Sequence, residues 1–296
     1  MRYFIFMPFK VSIVVLAYNN PDLLKMCLEH ISLNEVEKEI IVIDNASSPP
    51  LDAFKEMYPE MIYIRLNQPK GFGAANNIGI QRSTGEVVLI LNNDCFIGKD
   101  TLKILSGRIE GDNGCGAVGP KIFGRNGRIQ FQCRRGEQTP FSMMLYGFGL
   151  YRIFPRNRTI GKYPLSYIDD DAEQAVFCLS GSCMMARRDV LEAVKGFDER
   201  FIAYSEEIDL CKRISKHGYK IIYYPRNSVL HLGGATYMNV PLRSLYLLHS
   251  SYLKYARKHF GRDIFTVYFY HFIVLFGFLF KLVPAVLRKI SKRKKK

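Results

Sequence analysis

Short apolar runs that alternate with helix-like segments limit what this chain can fold into more than any other feature of its sequence. The runs at residues 11–17, 39–43 and 86–91 are rich in β-branched residues, a composition typical of strands buried on both faces of a sheet. A helix start follows the first run, where Asn20 stands at the cap position before Pro21. This alternation predicts an α/β fold whose mostly parallel central sheet is wound by right-handed crossovers and flanked by helices.

Polar residues stand directly after each of these three strands, at 18–20, 44–45 and 92–94. In an open α/β sheet, ligands bind outside the carboxyl ends of the strands, so Asp94 occupies a position where chemistry is expected. Asn and Asp are also common turn residues, and a plain turn is the alternative interpretation of any one cluster. Several clusters at one edge of a sheet favour a polar site.

The second half of the chain gives weaker signals. Segments 115–123 and 127–133 are strand-like, whereas residues 134–170 show no periodicity and are predicted to form a long loop or lid. A helix that Ser205 can cap is expected to carry two glutamates in its first turn. Strands are predicted at 219–224 and from 228, before a helix at about 241–259.

The charge of the chain is concentrated at its C-terminus. The formal net charge is +15, and eight basic residues without any acidic residue lie after residue 280. Residues 264–280 are almost entirely apolar, but 17 residues of helix extend only about 25 Å, less than the roughly 30 Å of a bilayer core. We expect segment 264–287 to lie in or dip into an anionic membrane surface, with a buried core helix as the alternative.

Two further observations bear on the compartment. The seven cysteines are scattered without a Cys-x-x-Cys pair, which favours a reducing environment over a disulfide framework or a zinc site. The apolar N-terminus is interrupted by Lys10 and no small-residue cleavage site follows, so a signal peptide is not expected. Nucleic-acid-binding motifs are absent from the sequence. These features predict a protein on the cytoplasmic face of the inner membrane, with no nucleic-acid partner.

Six short motifs occur in a fixed order. They are Val-Ser-Ile-Val-Val-Leu-Ala-Tyr-Asn ending at Asn19, Ile-Val-Ile-Asp-Asn-Ala-Ser-Ser ending at Ser48, Gly-Phe-Gly-Ala-Ala-Asn-Asn-Ile-Gly ending at Gly79, Leu-Asn-Asn-Asp ending at Asp94, Gly-Phe-Asp-Glu-Arg-Phe ending at Phe201 with Glu-Glu-Ile-Asp-Leu ending at Leu210, and His-Leu-Gly-Gly beginning at His231. The series closely resembles glycosyltransferase family 2 enzymes of GT-A fold, particularly bacterial rhamnosyltransferase-like members that build surface polysaccharides.

The resemblance covers roughly residues 10–260 and implies a domain organisation. A GT-A catalytic domain would occupy residues 1–260, with its nucleotide-binding half at about 10–110 and its acceptor half at about 111–260. Residues 261–296 would form the hydrophobic and basic membrane-associating tail.

The resemblance also implies a donor site. The donor would be a nucleotide-diphosphate sugar, and a divalent cation, Mg²⁺ or Mn²⁺, must neutralise the charge that develops on the leaving diphosphate. Asn92 takes the first acidic position of the family's Asp-x-Asp motif, which leaves Asp94 and His231 as the implied metal ligands. The implied donor contacts are Ala17, Tyr18 and Asn19 for base and ribose, Asp44 for a pyrimidine base, Gly73 and Asn76 beside the diphosphate, and Asn92 and Asn93 next to the metal.

The acceptor, a glycan or a lipid-linked sugar, needs a general base because its hydroxyl has a pKa far above 7. Glu207 stands where the family has its catalytic Asp, and Glu206 and Asp209 beside it are implied substrate contacts. One displacement assisted by one base implies inversion at the anomeric carbon. Gly181, Ser182 and Asp198 match positions that line the acceptor side. The alternative for the acidic residues is that they complement the helix dipole.

Two other functions remain open from the sequence. A dinucleotide-binding fingerprint is partly matched by Gly71 and Gly73 and by Asp94 about twenty residues later. Asn76 breaks the third glycine position of that fingerprint, and two strand units already precede it. This alternative is an NAD-type oxidoreductase. The missing first Asp of the metal motif also allows a catalytically inactive, membrane-attached scaffold of the same fold.

Overall fold

The predicted alternation of strands and helices is present in the computed structural model, which describes residues 9–233, 241–261, 268, 269 and 272. The strands are β1 Val11–Ala17, β2 Lys38–Asp44, β3 Ile62–Arg65, β4 Val87–Asn92, β5 Cys95–Phe96, β6 Cys115–Phe123, β7 Arg134–Arg135, β8 Gln174–Ala175, β9 Cys178–Leu179, β10 Cys183–Arg187 and β11 Lys220–His231. The helices are α1 Pro21–Ser32, α2 Phe54–Met57, α3 Phe72–Arg82, α4 Thr101–Glu110, α5 Pro140–Gly147, α6 Leu150–Ile153, α7 Arg188–Ala193, α8 Glu206–Lys216 and α9 Pro241–Phe260, with a 3₁₀ turn at Phe131–Cys133.

The first half of the chain forms a parallel sheet in the order β3-β2-β1-β4. The register pairs Ala17 with Asp44 and Leu16 with Asn92, so β1, β2 and β4 end at the same level. The polar residues that follow these strands therefore meet at one edge of the sheet, as the sequence predicted.

The second half of the sheet is mixed, which corrects the prediction of a mostly parallel sheet. β10 enters beside the carboxyl end of β4, where Cys183 pairs with Leu91, and it runs antiparallel to both β4 and β6. β11 is parallel to β6, and the short β5 pairs antiparallel with the end of β11. Because β10 descends from the polar edge, the loop before it lies beside the predicted site.

The core lies between this sheet and its helices. The apolar side chains of β4 from Val87 to Leu91 are 0% exposed, and Leu24, Leu28 and Ile31 present the buried face of α1. A Cβ atom at Gly79 of α3 would collide with the side chain of Val14 on β1. A glycine at this position therefore allows α3 to lie directly against the sheet.

Local structure differs from the prediction at several places. Residues 127–133 form no strand; a single bridge joins Phe123 and Ile129 before the 3₁₀ turn. The predicted strands at 219–224 and after 228 are one strand, β11, with an irregular register between Tyr223 and Ser228. Segment 134–170, predicted to be a loop or lid, contains α5 and α6.

The C-terminal prediction is largely outside the structure. Segment 264–287 lies outside the described residues except for 268, 269 and 272. Within the described part of the chain, no helix is both long and apolar enough to cross a membrane.

Candidate active site

The loop after β2 is tied to the end of β1 by hydrogen bonds. The backbone NH of Asn19 donates to Ser47 Oγ over 2.8 Å, and Asn19 Oδ1 accepts from the NH of Ser48 over 2.8 Å. Asn19 and Asn20 both adopt positive φ angles, of 54° and 53°, which Asn tolerates better than most residues. Left-handed geometry turns the chain out of β1, and the side chain of Asn20 does not cap α1. The three predicted residues Ala17, Tyr18 and Asn19 thus form one rim of the polar edge.

Asp44, predicted to bind the base, is fully buried in the structure. Its Oδ1 accepts from the NH of Ser47 over 2.8 Å, and its Oδ2 accepts from the Tyr63 hydroxyl over 2.7 Å. Burial and this hydrogen bond raise the pKa of Tyr63. Asp44 therefore stabilises the end of β2, and each of its carboxylate oxygens keeps a second lone pair that can accept a further hydrogen bond.

Two predicted donor contacts lie at the start of α3. A Cβ at Gly73 would lie 2.7 Å from Phe197 Cβ, so the glycine lets α3 approach the turn before α8. Asn76 is fully buried; its Nδ2 donates to the carbonyl of Phe72 over 2.9 Å, and its Oδ1 has no hydrogen-bond partner within the described part of the chain. Its neighbour Asn77 accepts from the NH of Phe197 over 2.8 Å. Gly73 and Asn77 thus join the donor and acceptor halves.

Asp94 and His231 are brought together from opposite halves of the chain. His231 pairs with Cys95 across the β11–β5 ladder, and its Nε2 lies 3.3 Å from Asp94 Oδ1. The NH groups of Leu232 and Gly233 donate to the carbonyl and to Oδ2 of Asp94 over 3.0 and 3.1 Å. The carboxylate is held on one side by backbone and faces the imidazole on the other.

Gln130 determines how the imidazole of His231 is oriented. Gln130 Nε2 donates to the carbonyl of His231 over 3.0 Å, which leaves Gln130 Oε1 as the acceptor of the 2.9 Å bond with Nδ1. The Nδ1 atom therefore donates, and Nε2 is the ring nitrogen that faces Asp94 Oδ1. A hydrogen bond of this kind fixes the tautomer that metal-ligating histidines need. Sequence reasoning missed Gln130, because it lies in a segment predicted to be a strand.

The donor atoms present fit a divalent cation that is shared with a substrate. Asp94 Oδ1 and His231 Nε2 are one oxygen and one nitrogen ligand on the same side of the strand edge. No group of three or more His, Cys, Asp or Glu side chains suited to a metal is found among the described residues. Mg²⁺ commonly binds through one or two protein groups plus substrate phosphates, and Mn²⁺ accepts the same oxygen-rich surroundings.

The loop before β10 links the donor edge to the predicted base. The NH of Asn92 donates to the carbonyl of Ser182 over 3.0 Å, while Asn93 occupies the turn before Asp94. A Cβ at Gly181 would lie 3.6 Å from Glu207 Cβ and 3.2 Å from the ring of Phe72. Gly181 and Ser182, which were predicted to line the acceptor side, therefore lie between Asn92 and Glu207.

Glu207 is held by a buried arginine that the sequence did not identify. Arg135 Nη2 donates to Glu207 Oε1 over 2.7 Å and to the carbonyl of Leu179 over 3.1 Å. The Arg135 side chain is 7% exposed and that of Glu207 is 14% exposed. Burial alone would lower the pKa of Arg135, but Cys178 and Glu207 raise it, so the guanidinium stays charged. The ion pair fixes the position of the Glu207 carboxylate beside the loop before β10.

Glu206 lies in a more buried environment than Glu207. Glu206 is buried, and its Oε2 has no hydrogen-bond partner in the part of the chain that the structure covers. Burial, and then the charge of Glu207, raise its pKa well above the usual range. Its surroundings therefore favour the protonated form of Glu206.

Asp209 and Asp198, both predicted to contact substrate, are engaged in ion pairs with α9. Asp209 is fully buried and binds Arg213 Nε, His259 Nε2 and Lys258 Nζ over 2.8, 2.7 and 2.6 Å. Asp198 binds Lys258 over 2.7 Å, and its hydrogen bonds from Arg200 hold its pKa far below the usual range. We interpret both as residues that fasten α9 to α8 and to the turn before it.

Ser205 precedes α8 in a left-handed conformation with φ of 64°, and its side chain makes no capping hydrogen bond. The predicted side-chain cap is therefore wrong. The left-handed turn at Tyr204 and Ser205 instead directs the chain so that Glu206 points into the protein.

A cavity of about 700 Å³ lies between α4 and β11, lined by Arg108, Tyr224 and Arg226 among others. None of the predicted site residues lines it. The candidate site is therefore defined by the polar strand edge and not by this cavity.

Comparisons with known proteins agree with the geometry of this edge. The family model described as Glycosyl transferase family 2 matches residues 12–195, and that of Glycosyl transferase family group 2 matches residues 165–291. The chain belongs to glycosyl transferase family 2 and is a glycosyltransferase. The resemblance in the sequence motifs is confirmed, and the oxidoreductase alternative is closed.

Two relatives are rhamnosyltransferases. The chain is 28% identical over 265 residues to N-acetylglucosaminyl-diphospho-decaprenol L-rhamnosyltransferase of Mycobacterium tuberculosis, over 85% of this chain and 85% of the relative. It is 26% identical over 232 residues to rhamnosyltransferase WbbL of Escherichia coli, over 75% of this chain and 83% of the relative.

Solved structures confirm a GT-A-like α/β fold. Mannosyltransferase PcManGT of Pyrobaculum calidifontis, in complex with GDP-Man and Mn²⁺, superposes with a TM-score of 0.58 at 17% identity, over 95% of this chain and 76% of that one. GalNAc-T7 with UDP, GalNAc and Mn²⁺ gives a TM-score of 0.58 at 15% identity over 76% of this chain. The chain spans 44% of the GalNAc-T7 structure, and at these identities the likeness concerns the fold alone.

Proposed function

We propose that this glycosyltransferase moves rhamnose or a similar sugar from a nucleotide-diphosphate donor to a glycan or lipid-linked acceptor in cell-surface polysaccharide synthesis. The reaction is metal-dependent and inverts the anomeric configuration. The observation that carries the proposal is the approach of His231 Nε2 to within 3.3 Å of Asp94 Oδ1, with the imidazole oriented by Gln130. That arrangement is a preformed half-site for a cation that a diphosphate completes.

Each part of the site has a chemical task in this proposal. The rim from Ala17 to Asn19 and the loop after Asp44 bind the nucleoside, and Asn76, Asn92 and Asn93 lie beside the diphosphate. Asp94 and His231 would hold a divalent cation, which supplies charge neutralisation to the leaving diphosphate. Glu207, positioned by Arg135, removes the proton of the acceptor hydroxyl as that oxygen attacks the anomeric carbon. A single displacement of this kind needs no second nucleophile, and it inverts the centre.

The sugar and the acceptor are proposed from the relatives. Both named relatives transfer rhamnose, and one acts on an N-acetylglucosaminyl-diphospho-decaprenol. A lipid-linked acceptor would also explain the apolar and basic C-terminal segment, which we propose attaches the protein to the cytoplasmic face of the inner membrane.

A donor screen tests the proposal. Purified full-length protein is incubated with uridine, guanosine and thymidine diphosphate sugars, including a rhamnose donor, and with a polyprenyl-diphosphate-linked N-acetylglucosamine acceptor. We expect transfer with Mg²⁺ or Mn²⁺ and loss of transfer with a chelator or with Asp94→Ala. The configuration of the new bond, read by NMR, should be opposite to that of the donor. Transfer that is indifferent to both chelator and Asp94→Ala would overturn the metal assignment, and absence of any turnover would favour the inactive scaffold.

A further inference from the structure

The segment between β7 and β8 is an ordered insertion whose inner face packs on α9. Met143 and Tyr163 from this segment form a buried cluster with Ala256 of α9. Thr139 caps α5 in a reciprocal capping box with Ser142. These contacts fix the orientation of α5, so its opposite face has a defined direction.

The opposite face exposes large apolar side chains. Phe141 and Phe148 lie two helical turns apart and therefore on the same side of α5, and α6 follows at once with Ile153 and Phe154. Their exposed fractions are 53%, 60%, 68% and 53% in chain order. Large apolar side chains grouped in this way mark a docking surface more often than a plain solvent-facing one.

The same segment is basic. Between Glu137 and Asp169 the sequence has no acidic residue, and Arg152, Arg156 and Arg158 are all exposed. Within the part of the chain that the structure describes, none of these three arginines makes an ion pair with a carboxylate. Their charges are therefore available to an external anion.

We infer that this aromatic–basic face, formed by Phe141, Phe148, Arg152, Ile153, Phe154, Arg156 and Arg158, rests on an anionic lipid bilayer. Aromatic and aliphatic side chains beside arginines are the composition of interfacial membrane-binding segments. Arginines near a leaflet of anionic lipid add an attraction that a neutral surface does not offer. A second copy of the chain fits less well, because a symmetric contact would set the arginines of both copies against each other.

The position of the face has a consequence for the acceptor side. The NH of Gly136 donates to the carbonyl of Tyr163 over 2.9 Å at the root of the insertion, next to Arg135, which binds Glu207. The adjacent residues Arg135 and Gly136 therefore connect Glu207 to the root of the segment that carries the aromatic–basic face. If the acceptor is lipid-linked, as the proposed function holds, its head group would emerge near Glu207; the membrane contact itself does not depend on sugar transfer.

Site-specific fluorescence tests the contact in the full-length protein. The chain has no tryptophan, so Phe154→Trp places a single reporter on the face. With vesicles that contain anionic phospholipid, we expect its emission to shift to shorter wavelength and to be quenched by brominated acyl chains. Met57→Trp on α2 is the matched control, because Met57 is 52% exposed at a distance from the insertion in the sheet order. Its emission should not change.

Variants that remove charge from this face test the membrane contact independently. Combined Arg152→Gln, Arg156→Gln and Arg158→Gln should weaken partitioning to anionic vesicles on the order of 10- to 100-fold. The control Arg82→Gln, Lys99→Gln and Lys103→Gln removes the same charge from exposed positions elsewhere and should have a much smaller effect. The inference is overturned if Phe154→Trp stays unquenched while the protein sediments with vesicles. It is also overturned if the spectral shift occurs without lipid and grows with protein concentration, since the face would then bind a second copy.

Discussion

At the scale of single residues, the metal half-site depends on a side chain that is not itself a ligand. Gln130 makes two hydrogen bonds to one histidine residue, one to its ring and one to its carbonyl. The ring bond holds the proton on Nδ1, and the carbonyl bond holds the end of β11. Loss of Gln130 should therefore weaken metal binding without removing any donor atom.

Gln130→Leu tests this role. We expect the dissociation constant for UDP in the presence of Mn²⁺ to rise about 10- to 100-fold, the usual cost of removing an outer-shell partner of a ligating histidine. Gln132→Leu is the matched control, because Gln132 is two residues away and exposed. Isothermal titration of both variants makes the comparison. Equal affinities for the two variants would show that Gln130 does not orient His231.

Glu206 makes stability depend on pH. Its pKa is raised in the folded state, so folding favours the protonated form, and the associated stability is lost as pH rises through the folded-state pKa. Between pH 6 and pH 9, the melting temperature of Glu206→Gln should fall less than that of the natural protein. Thermal melts at both pH values measure this difference. Parallel pH dependence of the two proteins would contradict a buried, protonated Glu206.

At the scale of elements, the helices lie close to the sheet because small residues permit it. Gly79→Ala on α3 would drive a methyl group into Val14, and overpacking of this kind costs about 1–3 kcal/mol, more than the roughly 1 kcal/mol that alanine gains in helix propensity. Gly107→Ala on α4 meets no atom within 4 Å and should stabilise by about 0.5–1 kcal/mol. Urea denaturation should therefore give opposite signs for the two variants. A stabilising Gly79→Ala would contradict the packing described here.

Much of the element pattern was predictable, and the exceptions have physical causes. The runs that became β1, β2 and β4 are apolar because both faces of a central parallel strand are covered, so composition alone identifies them. Segment 127–133 alternates apolar and polar residues as a half-buried strand does, but it forms no strand, since one bridge at Ile129 is all that pairs it. α5 was missed because its boundary signal is a capping box with Ser142 where Glu or Gln is usual.

At the scale of the whole molecule, the position of α9 is set by a cluster of charges on the far side of α8. Asp209 accepts from Arg213, Lys258 and His259, and burial of its carboxylate is offset by these partners, which lower its pKa. The cluster joins the helix that carries Glu207 to the helix that supports the aromatic–basic face.

Asp209→Asn should destabilise the fold by about 1.5–3 kcal/mol, because it removes the carboxylate partner of Arg213 and weakens the bond to His259, while Lys258 keeps Asp198. Asp189→Asn is the control: its side chain is 61% exposed, and its pair with Arg187 should be worth about 1 kcal/mol or less. Chemical denaturation of both variants gives the two values. Similar small losses would show that the cluster does not hold α9 in place.

The candidate site was predictable only in part. Asp94 and His231 stand 137 positions apart, and the β5–β11 pairing that joins them was not visible in the sequence, although the family motifs named both residues. Arg135 could not be found from the sequence, since its partner Glu207 lies 72 positions away. Arg135 also lies in residues 134–170, which show no helix or strand periodicity. Asp209 was predicted to contact substrate from the resemblance to the family's acidic motif, and the sequence does not show whether such a carboxylate faces a ligand or a cation of the protein.

The proposed mechanism of sugar transfer depends most on Glu207 as the group that removes the acceptor proton. Glu207→Gln keeps the shape of the side chain and can still accept from Arg135, but it cannot take a proton. We measure transfer rate and donor affinity for this variant, with Glu192→Gln on the exposed face of α7 as control. If Glu207 is the base, kcat of Glu207→Gln falls about 10²- to 10⁴-fold, while its donor affinity and thermal stability stay near those of the natural protein. Transfer by Glu207→Gln at the rate of the natural protein would contradict it.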